Sequence, residues 1–190
     1  MPRRDQFRLR PMAEADLDLV LEWRNSERVR RAMYSDHLIT PDEHRDWFQR
    51  VSDERSALPF IFEYDGRPVG VVNVTAMDRR NDRCTWGFYV GAADAPRGTG
   101  SAMGFFALEH ITGALGFRKV IGEALADNAE SIRFHLRLGF AEEGRFREHV
   151  FKVGRYVDVI SFALFSETWR SNRERLAAEF FSDENKSCLR

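Results

Sequence analysis

The sequence predicts a mixed α/β domain whose central sheet is mostly antiparallel and flanked by helices. A block of antiparallel strand patterns precedes one strand–helix–strand–helix unit, whereas a purely alternating chain would indicate a doubly wound sheet. The length of 190 residues fits a single domain, 1–190, and 43% hydrophobic residues suffice for a core. The aromatic content of 13% favours a sheet covered on both faces, a ligand slot, or both.

The N-terminal part contains an alternating strand and two amphipathic helices. Alternation at Phe7-Arg8-Leu9-Arg10 predicts the first strand. Leu17, Val20, Leu21 and Arg24 share one helical face, on which Arg24 is the odd member. Thr40-Pro41-Asp42-Glu43 has the pattern of a capping box with proline at the first helical position, which predicts a second helix. The buried stripe of that helix consists of His44, Trp47, Phe48 and Val51.

The remaining strands and helices are predicted from turn residues, from glycines that end helices and from the spacing of apolar residues. Asp65-Gly66 predicts a tight hairpin between strands over 58–64 and 68–75. Further strands are expected over 84–90, 119–125, 145–151 and 155–165, and helices over 101–115, 128–138 and 167–181. Residues 182–190 are predicted to form a polar tail.

Composition excludes several classes of function. Lys plus Arg is 29 and Asp plus Glu is 30, so the net charge of −1 argues against a duplex nucleic acid as the main partner. No apolar run approaches the ~18–20 residues of a membrane-spanning helix. The N-terminus carries no apolar signal core, so we expect a cytoplasmic protein. Cys84 and Cys188 are too few for a disulfide framework or a zinc site, and no metal is expected.

A glycine-rich loop, Arg97-Gly98-Thr99-Gly100-Ser101-Ala102, lies between a strand and a helix. Small residues allow the backbone to approach a ligand, and the N–H groups of the first helical turn attract phosphate. The spacing Gly98-x-Gly100-x-x-x-Gly104 is one residue too long for a dinucleotide fingerprint, and no lysine of a P-loop follows. A plain strand–helix turn remains the alternative.

Two sequence blocks resemble the GNAT acyltransferase superfamily. The strand 86–90 followed by Arg97-x-x-Gly100-x-Ala102 is similar to its acetyl-CoA motif, Gln/Arg-x-x-Gly-x-Gly/Ala. A later strand and Asn128-x-x-Ser131-x-x-x-His135-x-x-x-Gly139-Phe140 resemble its second block, although the family often has tyrosine in place of His135. The resemblance implies an acyl-CoA N-acyltransferase fold and direct transfer of an acetyl group from acetyl-CoA to a primary amine.

A narrower resemblance concerns the acceptor. Trp23-Arg24-Asn25, the helix around Glu43-His44 to Trp47-Phe48, and the closing run 144–160 resemble the N-acetyltransferase of pseudaminic acid biosynthesis. That family acetylates the 4-amino group of a UDP-linked amino-dideoxy sugar, so a small-molecule UDP-amino-sugar is expected as partner. Ribosomal-type N-terminal acetyltransferases share much of this framework, and a non-catalytic acyl-CoA sensor is the third hypothesis. A homodimer is compatible with each of these functions.

Titratable residues supply candidate catalytic groups. Glu123, just before the second block, is the first candidate base, with an ion pair to a neighbouring cation as the alternative. His149 is the second candidate and His37 a weaker third. One helical face presents Asn128, Ser131 and His135, and His135 is the candidate donor of a proton to the CoA thiolate. Tyr156 or solvent is the next donor to consider.

The remaining expected contacts divide between cofactor and acceptor. The resemblance implies that N–H groups near Tyr89 and Val90 polarise the thioester carbonyl. The expected cofactor residues are Tyr89, Val90, Arg97, Gly98, Thr99, Gly100, Ser101, Ala102, Asn128 and Ser131. The expected acceptor residues are Trp23, Arg24, Asn25, Arg30, Met33, Tyr34, His37 and Trp47, with charge from 28–31. The alternatives are an N-cap role for Asn128, an ion pair for Arg24 and a solvated basic helix end.

Overall fold

The computed structural model describes residues 2–54 and 57–182. Its strands are β1 (Phe7–Pro11), β2 (Ala57–Tyr64), β3 (Arg67–Asp78), β4 (Arg83–Val90), β5 (Lys119–Leu125), β6 (Ala141–Lys152) and β7 (Arg155–Phe165). Its helices are α1 (Leu17–Asn25), α2 (Glu27–Arg30), α3 (Pro41–Glu54), α4 (Thr99–Glu109), α5 (Ala129–Leu138) and α6 (Ser166–Phe180). Of the predicted polar tail, 183–190 lies outside the described residues.

One seven-stranded sheet organises the described chain, with strand order β1-β2-β3-β4-β5-β7-β6. Its neighbouring strands pair antiparallel except β4 and β5, which are parallel. The mixed, mostly antiparallel sheet predicted from the sequence is therefore confirmed.

The parallel pair β4–β5 separates soon after it forms. Only three residue pairs join the two strands within the described structure, the last being Thr85 with Ile121. Beyond that point β4 stays paired with β3, and β5 stays paired with β7. The result is a wedge-shaped opening inside the sheet, bordered by the second halves of β4 and β5.

Apolar side chains cover both faces of the sheet, as the aromatic content indicated. On one face, Phe62, Trp86 and Phe162 pack in a large cluster with α4 and α6 residues such as Phe105 and Trp169. On the other face, a smaller cluster joins α1 to β2 and β3 through Val20, Trp23, Ile61 and Val71.

Local turn and cap signals are confirmed. Asp65 and Gly66 both have positive φ, 47° and 76°, as the tight hairpin turn between β2 and β3 requires. The Thr40 and Glu43 side chains accept hydrogen bonds from each other's backbone N–H, at 3.2 Å and 2.7 Å, which closes the capping box of α3.

Several elements differ from the predictions, and β3, for example, ends at Asp78 rather than at 75. The helix expected over 101–115 is α4 followed by a π-helical turn, His110–Ala114. Over so few residues the spacing of apolar side chains does not distinguish an α-helical turn from a π-helical one. Strand β6 begins at Ala141 rather than 145 and contains two register shifts. Most of its side chains are exposed, so no alternation marked its start. The short helix α2 was not predicted.

We expect Gly91→Ala to destabilise the fold because an added Cβ would lie 2.1 Å from two carbon atoms of the buried Trp23 indole. Overpacking of this kind costs about 1–3 kcal/mol, or several degrees of melting temperature. Gly87→Ala is the matched control, since a Cβ there would meet nothing within 4 Å. Thermal unfolding of both variants gives the comparison. Equal melting temperatures would contradict the close packing of Trp23 against Gly91.

Candidate active site

The opening between β4 and β5 leads into a cleft of about 720 Å³. One wall is β4 from Thr85 to Val90, and the opposite wall is β5 from Glu123 to Leu125. Helix α5 contributes Asn128, Ser131 and His135 to it, while α2 and the following loop close the third side. The sequence-predicted cofactor and catalytic residues of β4, β5 and α5 therefore meet in one place.

The glycine loop lies at the end of this cleft. Gly98 has φ 95° and is the N-cap of α4, so the loop turns tightly into the helix. Gly100 borders the cleft. A Cβ atom added to it would lie 3.9 Å from a methyl group of Val90. The N–H groups of a first helical turn have no intrahelical partner and attract anions. The loop thus fits a phosphate group of CoA.

The side chains of the glycine loop differ in burial and in their hydrogen bonds. The Thr99 hydroxyl donates to the Pro96 carbonyl at 2.7 Å and the side chain is buried, as is that of Ala102. Their backbone N–H groups are also engaged, since Thr99 donates to the Pro96 carbonyl at 3.1 Å and Ala102 to the Gly98 carbonyl at 3.0 Å, so their contacts here do not support the predicted phosphate binding by these two residues. Ser101 accepts a hydrogen bond from Arg137 at 3.4 Å, and Arg97 is exposed at the rim.

Helix α5 presents the predicted polar face. The Asn128 side-chain oxygen accepts from the Ser131 N–H at 3.1 Å, so Asn128 is the N-cap of α5 and also lines the cleft. Both readings of Asn128 from the sequence are therefore compatible.

His135 lies at the base of the cleft with 1% of its surface exposed. Its Nδ1 donates to the Ser131 carbonyl at 2.8 Å, and its ring stacks on Phe162 with centroids 5.0 Å apart. Among the described residues, its Nε2 has no hydrogen-bond partner. Burial lowers the pKa of the imidazole, opposed by the bond to Ser131. The donor role stays a prediction, and burial works against the protonated form that it requires.

Glu123 accepts a hydrogen bond from a residue on another side of the cleft. The Tyr34 hydroxyl, from the loop after α2, donates to Oε2 of Glu123 at 2.5 Å. Burial, together with the Glu123 carboxylate, raises the pKa of Tyr34, so the phenol keeps its proton. Both side chains line the cleft. Tyr34 was expected in the acceptor wall, and its link to the candidate base could not be foreseen from the sequence.

A second cavity of about 350 Å³ adjoins the cleft between α1, α3 and the strands β3 and β4. The two spaces share Arg24, Met33 and the β4 residues from Gly87 to Tyr89. His37 and Trp47 line the second cavity, as expected for acceptor residues, and so does His44. His44 is buried, stacks on Trp47 with centroids 5.3 Å apart, and has a pKa lowered by burial.

Three residues expected in the acceptor site line neither cavity. Trp23 lines neither cavity, because its indole packs in the core below Gly91. Asn25 instead exchanges two hydrogen bonds with the Ile39 backbone, at 2.8 Å and 2.9 Å, and so closes the loop between α2 and α3. Arg30 donates to the Asp36 carbonyl at 3.1 Å and lines neither cavity.

The expected charge from 28–31 is also engaged elsewhere. Arg28 donates to the Val90 and Gly91 carbonyls at 2.8 Å and 2.6 Å, which caps the free end of β4. Arg31 pairs with Glu27 on the surface. Lys152, at the end of β6, donates to the carbonyls of Arg30, Arg31 and Met33 and so fastens the loop after α2.

Two further candidates lie outside both cavities. His149 is exposed on β6, where its ring contacts Phe146 at 5.0 Å between centroids. Tyr156 is 63% exposed on β7 and packs against Phe151. Neither side chain lines the cleft that contains Glu123.

Asn73 is a residue of the site that sequence reasoning missed. It lies on β3, lines the second cavity, and its Oδ1 is buried without a hydrogen-bond partner in the described structure. Its signal was present, since Asn73 is the one polar residue in the apolar run Val69-Gly70-Val71-Val72-Asn73-Val74.

A sheet that opens between two parallel strands, with a glycine-rich loop and a helix N-terminus at one end of the opening, is the arrangement expected of the acyltransferase fold. The family model described as "Acetyltransferase (GNAT) domain" matches residues 6–141. The chain belongs to this family, and it is an acetyl-CoA-dependent N-acetyltransferase.

Similar proteins agree with this assignment. The SPbeta prophage-derived uncharacterized N-acetyltransferase YokL of Bacillus subtilis is 29% identical over 163 residues, covering 82% of this chain and 88% of that protein. The spermidine N(1)-acetyltransferase of Escherichia coli K12 is 22% identical, with 89% and 91% covered. A spermidine N-acetyltransferase from Vibrio cholerae, solved with CoA and spermine, superimposes with a TM-score of 0.82 at 17% identity, covering 87% and 99%. The narrower likeness to a sugar-nucleotide acetyltransferase is not confirmed.

The described residues include neither a membrane-spanning helix nor a cluster of metal-binding side chains. No helix there is both long and apolar enough to cross a bilayer. No group of three or more histidine, cysteine or carboxylate side chains is arranged to hold a metal ion in that part of the chain. Cys84 is buried, and burial raises the pKa of its thiol to about 12.

We expect Gly100→Asp to abolish stabilisation by CoA while the fold is retained. A carboxylate in the first turn suits the helix dipole, but it repels phosphate and fills the end of the cleft. CoA at 100 times its dissociation constant adds about 2.7 kcal/mol to wild-type stability, measured as a thermal shift. Gly113→Asp is the control, since its Cβ would meet nothing within 4 Å. A full shift in Gly100→Asp would place the phosphate elsewhere.

We also expect His135 to make stability depend on pH. The unfolded chain takes up a proton on this histidine as the pH falls below ~6.5, while the buried imidazole resists it, so stability is lost on acidification. His135→Gln should therefore lose fewer degrees of melting temperature than wild type between pH ~7.5 and ~5.5. His149→Gln, at an exposed site, should match wild type. Equal losses in His135→Gln and wild type would show that His135 is not held neutral.

Proposed function

We propose that this N-acetyltransferase acetylates the primary amine of a small-molecule acceptor, with Glu123 as the group that receives the amine proton. The observation that carries the proposal is the hydrogen bond from Tyr34 to Glu123 inside the cleft. It holds a carboxylate at the mouth of the opening between β4 and β5, where the family places its thioester.

The chemistry requires a neutral amine. The amine nitrogen forms a bond to the acetyl carbon, the carbon–sulfur bond breaks, and one proton must leave the nitrogen. Because Tyr34 binds Oε2 of Glu123, Oε1 can face the incoming amine. A positioned carboxylate of this kind contributes typically ~10²–10⁴-fold to rate.

The thiolate of CoA also needs a proton. His135 was predicted to supply it, but its buried ring favours the neutral form with the proton on Nδ1. Tyr156 lies outside the cleft. Water that enters the open cleft can protonate the thiolate without a buried, positively charged histidine. We therefore assign solvent as the proton donor. Acetyl-CoA, when bound, supplies the activated acyl group, and the β4 backbone near Tyr89 and Val90 orients its carbonyl.

A polyamine is the second candidate acceptor, favoured by the Escherichia coli relative, whose name gives spermidine as its substrate. The UDP-amino-sugar expected from the narrower resemblance has less support, since Arg28, Arg30 and Arg31 are engaged by backbone or by Glu27. A diphosphate would need several free cations.

A panel of amines tests the proposed function. Purified protein is incubated with acetyl-CoA and spermidine, a UDP-4-amino sugar, amino-terminal peptides or simple primary amines, and free thiol is detected. Thiol release that depends on an amine supports the proposal. CoA binding without release for any amine would identify a non-catalytic sensor instead.

We expect Glu123→Gln to lower kcat by ~10²-fold or more with acetyl-CoA binding unchanged, because the amide cannot accept the amine proton. Tyr34→Phe removes only the positioning hydrogen bond and should lower kcat by less. Glu142→Gln, an exposed carboxylate on β6, is the control for loss of charge. The measurement is kcat across pH for a responsive amine. If Glu123→Gln retains wild-type kcat and pH profile, the base is another group.

A further inference from the structure

Arg24 carries a half-buried positive charge that nothing in the described structure neutralises. No carboxylate among the described residues forms an ion pair with it. Its Nη1 is buried without a hydrogen-bond partner, whereas Nη2 donates to the Ser35 hydroxyl at 3.0 Å. Burial and the nearby Arg30 lower its pKa, yet a guanidinium stays protonated at neutral pH. A buried, unpaired charge is unfavourable, so this position favours an anionic ligand.

The loop after α2 places this charge close to the candidate base. Ser35 receives the hydrogen bond from Arg24, and its chain neighbour Tyr34 donates to Glu123. Two adjacent residues thus hold a cation on one side and a carboxylate on the other. Arg24 lines both the cleft and the second cavity, so it lies where the two spaces join. One small molecule can contact both groups from this junction.

The second cavity adds a selective environment beyond the junction. Its walls include the stacked rings of His44 and Trp47, the side chain of Met33 and the β3 residue Val71. Besides Arg24, its polar lining includes His37, Glu43, His44 and Asn73, and the Oδ1 of Asn73 is buried without a partner among the described residues. Glu43 lies at the exposed rim, where it caps α3. The cavity therefore suits an apolar or aromatic group.

We propose that the acceptor is an α-amino acid or a closely related aminocarboxylate with an apolar or aromatic side chain. Its carboxylate pairs with Arg24, its amine faces Glu123, and its side chain enters the second cavity. The inference rests on the proposed acetyl transfer to a small amine. A polyamine carries the same sign of charge as Arg24 and Arg30, and one free guanidinium matches one carboxylate rather than a diphosphate.

The substrate test uses the wild-type protein and pairs of acceptors. Phenylalanine is compared with phenethylamine, which has the same ring and amine but no carboxylate, and with phenylalaninamide, which is neutral at that position. Leucine with isoamylamine repeats the comparison, and spermidine is added as a polycation. We expect kcat/KM for the amino acid to exceed that for its decarboxylated partner about ten- to a hundredfold.

The variant test removes the charge at Arg24. Arg24→Met keeps an unbranched side chain, and it should raise KM for phenylalanine about ten- to a hundredfold. It should leave KM for acetyl-CoA and for phenethylamine unchanged. Arg50→Met, an exposed arginine on α3, is the control. If Arg24→Met does not fold, Arg24→Lys and the wild-type substrate pairs still decide the question.

The outcomes separate the two proposals. Thiol release with spermidine or phenethylamine at least as efficient as with phenylalanine overturns the aminocarboxylate acceptor and leaves the acetyl transfer standing. An unchanged KM for phenylalanine in Arg24→Met also overturns it. No release with any amine overturns the proposed function and this inference together.

Discussion

The early separation of β4 from β5 is the constraint on which the rest of the molecule depends. Strands that part inside a sheet expose backbone groups that must find other partners or a ligand. The structure limits this exposure to one edge of each strand, because β3 continues to pair with β4 and β7 with β5. Arg28 takes two of the carbonyls at the free end of β4. Both walls of the cleft are therefore hydrogen-bonded along their outer edges while its interior remains open.

Both the cofactor half and the catalytic face of the site follow from this separation. Helix α4 follows β4 after the glycine-rich loop, and its first turn borders the opening through Gly100 and Met103. Helix α5 follows β5 in the same way, and its face with Asn128 and Ser131 borders the same space. The polar groups of α5 lie beside a ligand cleft rather than in an apolar core, which explains why they are tolerated. His135 is the exception, because its ring lies among aromatic side chains.

Features with local causes could be predicted from the sequence, and features set by distant contacts could not. The capping box at Thr40, the turn at Asp65-Gly66 and the glycine loop each depend on a few adjacent residues. The sequence of α1 shows an amphipathic helix, but it does not show that Trp23 points into the core while Arg24, its neighbour, points into the cavity. The bond between Tyr34 and Glu123 spans 89 positions of the chain. Only the folded sheet brings these two residues together.

Lys152 makes the C-terminal hairpin part of the acceptor side of the molecule. Its ammonium group binds three carbonyls at the end of α2, although it lies on a strand that begins where the match to the family model ends. The loop after α2, which carries Met33 and Tyr34, is thus secured by a strand residue that lies after the residues matched by the family model. A substitution at the end of this hairpin would therefore act at a distance, on the position of Tyr34 and so on its hydrogen bond to Glu123, without touching the glycine loop.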